Sequence, residues 1–335
     1  MTVRQQRGGA PPRIAVTMGD PAGIGPELIA ATLADDAVHD RCRPLVIGDA
    51  DVIRAGIAAI HAPIEVHEVA EPSAAVYGAG RVNVLTPPGA DVADHAWGRL
   101  TVEAGAAALA ALTAAAALPV DGIVSAPLNK EALRLAGMRQ SDELGLLAEL
   151  TGSAETALIG VLPSLWTICV TSHVPLRQVP DLVTEASVLN AIEALAGALG
   201  AVRTRPRLAV AALNPHAGEG GHLGREELDE LRPAVTAAQA RGIDVVGPLP
   251  ADTVFPRALA EAIDGVVCMY HDQANIARKL NPLESQATLY LGLPVPVATT
   301  AHGTAFDRAG TGTASPDSLR AALEVTIALA ERARS

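Results

Sequence analysis

Aromatic and basic residues are scarce in this sequence, and their scarcity excludes nucleic acid as a partner. The 335 residues include two Phe, two Trp and three Tyr, too few for the stacking platforms of single-strand binding proteins. Lys and Arg number 25 against 37 Asp and Glu, which gives a formal net charge of -12. Binding to a nucleic-acid phosphate backbone requires a surface with clustered Lys and Arg. The expected partner is a small-molecule substrate.

Cysteine is scarce as well. Cys42, Cys169 and Cys268 lie far apart and form no CxxC pair, which excludes a disulfide framework and a cysteine-built zinc site. Cys169 and Cys268 stand in apolar runs, where a buried, unreactive thiol is the usual outcome. The sequence therefore indicates a reducing compartment.

A long hydrophobic run is also missing. The first twelve residues lack the apolar core of a signal peptide, and the longest apolar stretch, residues 104–120, is rich in alanine and follows Glu103. A buried amphipathic helix explains that stretch better than a membrane span. We expect a disordered leader over residues 1–12, no membrane partner and a cytoplasmic protein.

The sequence does contain short runs rich in Val and Ile that alternate with stretches of helical period. The runs that predict strands are RIAVTM, PLVIG, DGIVSAP, TALIGVL, WTICVTS, RLAVAAL, DGVVCMY and VPVATTA. Helices are predicted over 26–35, 98–117, 130–136, 185–199, 225–240 and 317–332. Strands that are apolar on both faces, each followed by a helix, favour an α/β fold with a largely parallel, covered sheet.

The length allows two coupled domains. No repeat or low-complexity linker separates them, so the boundaries must be chain crossings, near residues 125–127 and 286–292. One predicted lobe combines 13–125 with 288–335, and the other spans 126–287.

Two glycine-containing loops could bind a ligand. GDPAGIGPE, residues 19–27, follows a strand and opens a helix with Pro26 in its first turn, so its backbone amides could approach an anion. It is not a GxGxxG fingerprint, and a tight βα turn needs glycine in any case. HGTAFDRAGTGTASP, residues 302–316, could wrap a flat polar ligand or form a plain surface loop.

Three histidines, His173, His216 and His271, each follow an apolar strand. Side chains at the carboxyl ends of parallel strands face the region where α/β proteins bind ligands. Three neutral imidazoles could hold a divalent ion with positions open for substrate. Their spacings match no local ligand motif, and each histidine alone could be structural.

Charged residues suited to proton handling or anion binding stand in the same part of the chain. They are Lys130 in APLNKEAL, Asp252 in LPADTVF, Asp272 in YHDQ and Lys279, eight residues after His271. For the two lysines, a solvated helix face is the alternative interpretation.

Six segments, in order, resemble the 4-hydroxythreonine-4-phosphate dehydrogenase family. They are GDPAGIGPE, NPHAGEGGHLGREE, GPLPADTVF, MYHDQ, LGLP and HGTAFDRAG. The resemblance implies a two-lobed α/β/α fold of the isocitrate and isopropylmalate dehydrogenase type, with the active site in the cleft between the lobes. It also implies a homodimer whose active site is shared across the interface.

The resemblance implies the following site. A divalent metal, zinc foremost with magnesium, manganese or cobalt as alternatives, binds His173, His216 and His271. NAD or NADP binds the loop residues His302, Gly303, Thr304, Ala305, Asp307 and Gly310, and the catalytic residues are Lys130, Asp252 and Lys279. The reaction is oxidation of a secondary alcohol in a hydroxy acid, which decarboxylation can follow.

The substrate pocket departs from the family pattern. Its positions are Lys279, which is retained, and Glu143, Leu144, Thr288 and Val297, which replace His, Thr, Asn and Arg. Losing an arginine that faces phosphate weakens anion binding. A dehydrogenase of a non-phosphorylated substrate, such as a cis-dihydrodiol carboxylate, is therefore the alternative function, and a metal-dependent hydrolase and a non-catalytic binding protein on the same fold are the others.

Overall fold

The computed structural model describes residues 10–282 and 285–334, and most of the predicted leader, residues 1–9, lies outside them. The chain divides into two compact units. The terminal unit comprises Met1–Leu150 and Gly303–Ser335, and the middle unit comprises Thr151–His302. Residues 126–150 thus group with the terminal unit and 288–302 with the middle unit. The lobe boundaries drawn from the sequence, at 125/126 and 287/288, stay predictions.

The terminal unit contains a parallel sheet of five strands in the order β3-β4-β2-β1-β5. The strands are β1 Arg13–Thr17, β2 Arg43–Ile47, β3 Glu65–Glu68, β4 Arg81–Leu85 and β5 Gly122–Ser125. The helices are α1 Gly25–Leu33, α2 Asp36–Arg41, α3 Ala50–Ala59, α4 Val102–Ala117, α5 Lys130–Leu135, α6 Glu143–Thr151 and, near the end of the chain, α12 Asp317–Ala333.

The middle unit contains the strands β12-β11-β6-β7-β10-β8-β9 in that order. The strands are β6 Ala157–Val161, β7 Trp166–Cys169, β8 Arg207–Ala211, β9 Asp244–Leu249, β10 Gly265–Cys268, β11 Ala287–Leu291 and β12 Val297–Thr300. The helices are α7 Val179–Leu182, α8 Glu185–Val202, α9 Arg232–Ala240, α10 Ala251–Ala260 and α11 His271–Lys279.

The α/β class is confirmed, but the expectation of a largely parallel sheet fails in the middle unit. There β7, β10, β8 and β9 are parallel, whereas β12, β11, β6 and β7 pair antiparallel. Only residues 162–165 connect β6 to β7. A connection this short joins antiparallel neighbours, whereas a parallel pair needs a crossover of a dozen or more residues.

Side-chain caps explain where several helices begin. Asn129 accepts hydrogen bonds from the amides of Glu131 and Ala132 at the start of α5. Thr184 and Ser187 form a reciprocal capping box at the start of α8. These contacts satisfy amides that have no partner within the helix.

Two apolar helices belong to the cores of their units. The alanine-rich stretch forms α4, which buries Ala104, Ala108 and Leu112 and packs against β1, β2 and β5. Within the described residues, α8 alone has the length and composition to cross a membrane. Its buried side chains pack against β7, β8 and β10, as those of a core helix do.

The cysteines are free thiols. Cys42 and Cys268 are buried and Cys169 is half-buried. Burial raises the pKa of Cys42 to about 12 and that of Cys169 to about 11. The thiols therefore stay protonated near neutral pH, as unreactive cysteines do.

Candidate active site

The three predicted histidine ligands follow three neighbouring parallel strands of the middle unit. His173 comes four residues after β7, His271 begins α11 after β10, and His216 lies in a turn after β8. Strand β10 pairs with β7 on one side and with β8 on the other. The carboxyl ends of these strands lie at one edge, where parallel sheets bind ligands.

His173 and His271 come together at this edge. Their ring centroids are 5.6 Å apart with an interplanar angle of 41°. Two imidazoles bound to one tetrahedral ion at about 2.1 Å have centroids about 5 Å apart. His271 Nδ1 forms a 2.7 Å hydrogen bond with Asp272 Oδ1, and a carboxylate there favours the tautomer whose Nε2 is free to bind a metal. The pair therefore fits a divalent ion.

His216 lies in a left-handed turn after β8. His216, Ala217, Gly218, Glu219 and Gly220 have φ values between 45° and 75°. Within residues 10–282 and 285–334, no group of three or more His, Cys, Asp or Glu side chains is placed to hold a metal ion. The described chain thus presents a two-histidine site, and His216 as third ligand stays a prediction.

Glu227 holds the base of this turn. It is buried, and its carboxylate accepts hydrogen bonds from the amides of Leu213 and Asn214, at 2.9 and 2.7 Å, and from Asn214 Nδ2. A Cβ on Gly218 would lie 2.6 Å from Glu227 Oε2, so only glycine fits there. Non-glycine residues rarely adopt φ values of this kind unless the surroundings hold them.

The other predicted residues of the middle unit are spread along its elements. Lys279 is exposed at the last position of α11, and Asp252 is exposed in the first turn of α10, which packs against the turn of His216. Thr288 lies half-buried in β11, and Val297 is buried at the start of β12. Neither Thr288 nor Val297 supplies a cation.

In the terminal unit, the two glycine-containing loops meet. Ile24 N donates to Thr304 O at 3.0 Å, and a Cβ on Gly23 would lie 2.8 Å from Thr304 Cβ. The ring of Trp97 lies against Gly310, where an added Cβ would collide with it. The loop predicted to bind NAD is therefore packed against the GDPAGIGPE turn.

Glu27, the last residue of that turn, anchors the predicted NAD loop. Its carboxylate is buried and accepts from the amides of Gly310 and Gly312. Burial raises the pKa of Glu27, and the hydrogen bonds from the loop oppose that rise. Ala305, also in the loop, has a φ of 42°.

Asp20 lies in the same turn, and its two carboxylate oxygens differ in their hydrogen bonding. Oδ1 accepts from Ala22 N at 2.9 Å, whereas Oδ2 is buried and has no hydrogen-bond partner among the described residues. Burial raises the pKa of Asp20 to about 6. This group titrates close to neutrality.

The remaining predicted residues of the terminal unit begin two helices. Lys130 is exposed at the first position of α5. Glu143 is buried at the first position of α6, and Leu144 follows it half-buried. Of the rest of the predicted NAD loop, Gly303 and Asp307 lie in the irregular segment before α12, and His302 is the last residue of the middle unit.

Sequence reasoning missed Glu27, Glu227 and Arg278. Glu27 and Glu227 are acids at the end of, or just after, a glycine-rich segment, and that position is the signal that could have found them. Arg278 precedes Lys279 in a basic pair at a helix end, and nothing in that pattern indicates its burial.

Comparison with known proteins identifies the family. The profile described as "Pyridoxal phosphate biosynthetic protein PdxA" matches residues 40–326. The chain belongs to the PdxA family. The predicted resemblance is thereby confirmed.

Two curated members of the PdxA family illustrate the range of named substrates. The 4-hydroxythreonine-4-phosphate dehydrogenase of Geobacter metallireducens is 43% identical over 322 residues, covering 93% of this chain and 94% of that protein. The D-threonate 4-phosphate dehydrogenase of Cupriavidus necator is 40% identical over 331 residues, covering 96% and 98%. Both relatives are dehydrogenases.

Solved structures agree with this assignment. The 4-hydroxythreonine-4-phosphate dehydrogenase of Klebsiella pneumoniae superposes with a TM-score of 0.81 at 38% identity, covering 97% of this chain and 99% of that one. A terephthalate 1,2-cis-dihydrodiol dehydrogenase from Burkholderia xenovorans LB400 superposes with a TM-score of 0.67 at 28% identity, covering 95% and 98%.

Proposed function

We propose that this chain is an NAD- or NADP-linked, divalent-metal-dependent dehydrogenase that oxidises the secondary alcohol of a phosphorylated hydroxy acid. The names of relatives 43% and 40% identical, which specify 4-hydroxythreonine 4-phosphate and D-threonate 4-phosphate, support the phosphorylated substrate. The observation that carries the proposal is the His173 and His271 pair, with centroids 5.6 Å apart, in a chain of the PdxA family.

His173 and His271 would hold the metal, with His216 as the third ligand that the resemblance implies. When bound, the ion supplies the Lewis acidity that lowers the pKa of the substrate hydroxyl, and the nicotinamide accepts the hydride. Zinc is the expected ion, with magnesium, manganese or cobalt as alternatives. Asp272 orients His271 through its hydrogen bond to Nδ1.

The protein's own charged groups provide the remaining chemistry. Lys279 and Lys130 would bind the substrate anion or relay a proton, and Asp252 would take part in proton transfer. The loop His302, Gly303, Thr304, Ala305, Asp307 and Gly310 would bind the adenosine side of the dinucleotide. Carbon dioxide is lost after oxidation when the substrate has a carboxylate beta to the new ketone.

The assembly and location follow from the same resemblance. The active site would lie in the cleft of a two-lobed isocitrate dehydrogenase-like fold and be shared by two protomers of a cytoplasmic homodimer. Light scattering of the purified protein measures its molecular mass, which should equal that of two chains.

A second function has one observation in its favour. Val297 is buried in β12 and Thr288 is neutral, so two positions of the predicted pocket offer no charge to a phosphate. Oxidation of a cis-dihydrodiol carboxylate, the reaction type named for a relative 28% identical, would need no phosphate contact.

The deciding experiment follows the absorbance of reduced nicotinamide in metal-loaded protein, with NAD and NADP in turn. The substrates are 4-phosphohydroxythreonine, D-threonate 4-phosphate and a cis-dihydrodiol carboxylate. Turnover of a phosphorylated acid supports the proposal, and turnover of the diol alone selects the second function. His271→Ala should abolish turnover, whereas His67→Ala, in β3, should not.

Two outcomes would reject dehydrogenation itself. A hydrolase would release product without reducing the nicotinamide. A binding protein would bind the acids without turning over any of them, and His271→Ala would then have no activity to remove.

A further inference from the structure

Arg278 is a buried cation that none of the predicted roles uses. It lies one residue before the end of α11, and only 7% of its surface is exposed. The other buried residue of the helix, Ala274, is four positions earlier and so on the same face. Arginine is rarely buried to this extent unless an anion or several acceptors pair with it.

The described residues accept hydrogen bonds from only some of the N–H groups of this guanidinium. Nη1 donates to Asn275 Oδ1 at 3.2 Å, and Nε is buried with no acceptor in the part of the chain that the structure describes. Among residues 10–282 and 285–334, no carboxylate forms an ion pair with Arg278. Burial lowers the pKa of its guanidinium, and Cys169 is the one titratable group of the described chain that opposes this shift. Arg278 lies in the last turn of α11, where the helix dipole favours a cation, but the dipole supplies only a partial negative charge. Within the described part of the chain, the guanidinium therefore has no anion to match its burial.

Hydrogen bonds connect Arg278 to the candidate metal site. Asn275, which accepts from Nη1, donates through Nδ2 to His271 O at 3.0 Å. Side chains on a helix point toward its N-terminus, so the guanidinium extends from the last turn of α11 toward the turn that begins with His271. Cys169, whose electrostatic effect raises the pKa of Arg278, ends β7, four residues before His173.

The guanidinium also lies beside a predicted substrate position. It packs directly on Gly160 of β6, where an added Cβ would collide with Nε, Nη1 and Cζ. Gly160 pairs with Thr288 of β11 and with Thr167 of β7. Side chains directly opposite in an antiparallel pair share one face of the sheet. Gly160 has no side chain, and the guanidinium of Arg278 fills that space, so Thr288 lies beside the guanidinium on the same face.

We propose that Arg278 binds the phosphate of the substrate and supplies the cation that Thr288 and Val297 do not. A guanidinium holds phosphate through parallel N–H···O bonds, which a neutral side chain cannot replace. Lys279, the next residue, provides a second positive charge at the end of the same helix. The inference rests on the proposed function for the substrate's identity, and inorganic phosphate tests it without turnover.

The test compares phosphate binding by the metal-loaded wild type, Arg278→Leu and Arg278→Lys, by calorimetric titration at constant ionic strength. Arg278→Leu should bind inorganic phosphate about thirtyfold or more weakly, and Arg278→Lys should fall between. The exposed Arg232→Leu, at the start of α9, is the matched control and should bind as the wild type does.

Stability in chloride buffer separates binding from a structural role. Because no described carboxylate pairs with this buried charge, its removal should leave the unfolding midpoint of Arg278→Leu unchanged or higher. Gly160→Ala keeps the charge but displaces the guanidinium, so it should also weaken phosphate binding. Unchanged phosphate affinity in both variants, or a large loss of stability in Arg278→Leu without loss of phosphate affinity, overturns the proposal.

Turnover distinguishes this proposal from the proposed function. If phosphate binding depends on Arg278 while no acid reduces the nicotinamide, the phosphate site stands and dehydrogenation fails. If a phosphorylated acid is oxidised with the same KM by the wild type and Arg278→Leu, dehydrogenation stands and the role of Arg278 fails.

Discussion

The buried carboxylate of Asp20 connects one residue to the pH dependence of stability. One oxygen accepts from Ala22 N, the other has no partner among the described residues, and burial raises the pKa to about 6 from 3.8. Because the folded-state pKa is the higher one, the folded protein binds more protons than the unfolded chain between these values. Stability is therefore lost as the pH rises from about 4 to about 6.

Asp20→Asn should remove this pH dependence and raise the free energy of unfolding at pH 7 by up to about 3 kcal/mol. The amide can keep the hydrogen bond from Ala22 N and carries no charge. Denaturant unfolding at several pH values measures both effects, with the exposed Asp94→Asn as control. An equal slope in wild type and variant would show that Asp20 does not titrate in this window.

At the scale of elements, Glu27 joins the start of α1 to the loop before α12. The carboxylate accepts from Gly310 and Gly312 amides, and hydrogen bonds to a charged group contribute about 1.5–3 kcal/mol each. Glu27→Gln leaves a weaker acceptor and should raise the dissociation constant for NAD about tenfold, with kcat little changed at saturation. Fluorescence titration of the dinucleotide measures this, and Glu65→Gln, exposed in β3, is the control. Equal NAD affinity in both variants would mean that the loop does not bind the cofactor.

A second acid supports the left-handed turn of His216. Glu227→Gln keeps one carbonyl for the amides of Leu213 and Asn214 but turns an N–H toward Asn214 Nδ2. We expect a loss of about 2 kcal/mol in unfolding free energy and faster proteolysis within residues 213–224. Glu230→Gln keeps a carbonyl oxygen for the amide of Glu185, outside the turn, and should leave that cleavage unchanged. Slow cleavage in both variants would show that the turn is held by other contacts.

Some strands and the positions of the histidines after them could be predicted from the sequence, whereas other parts of the site could not. RIAVTM, WTICVTS and DGVVCMY form strands because their apolar residues are buried on both faces, and the histidines after them lie at one sheet edge for the same reason. β3 was missed because EVHE alternates polar residues at a sheet edge. The burial of Arg278 depends on its contact with Gly160, which is distant in sequence, so no local pattern contains it. The turn of His216 depends on Glu227, whose place just after a glycine-rich segment is a local signal.

At the scale of the molecule, the middle unit exposes apolar side chains on segments that carry its candidate ligands. Ile276 is 67% exposed on α11, the helix that begins at His271, Leu280 is 85% exposed directly after that helix, and Leu176 is 66% exposed three residues after His173. Exposed apolar side chains four positions apart, such as Ile276 and Leu280, are typical of protein interfaces. They are where a second protomer of the predicted homodimer would bind.

Ile276→Gln with Leu280→Gln should therefore halve the mass measured by light scattering. Leu135→Gln, an exposed leucine of α5, should not change it. A dimer that persists in the double variant would place the interface elsewhere.

Metal binding should then depend on protein concentration. The described chain brings two histidines together, and the resemblance assigns the third to a site shared between protomers. Binding that needs both protomers is linked to dimerisation, so dilution below the dimer dissociation constant should weaken zinc affinity. Competition with a chromogenic chelator over a range of dilutions measures this affinity, and the double variant should show the weak value at every concentration. Zinc affinity that is independent of dilution would instead mean that each protomer completes its own site.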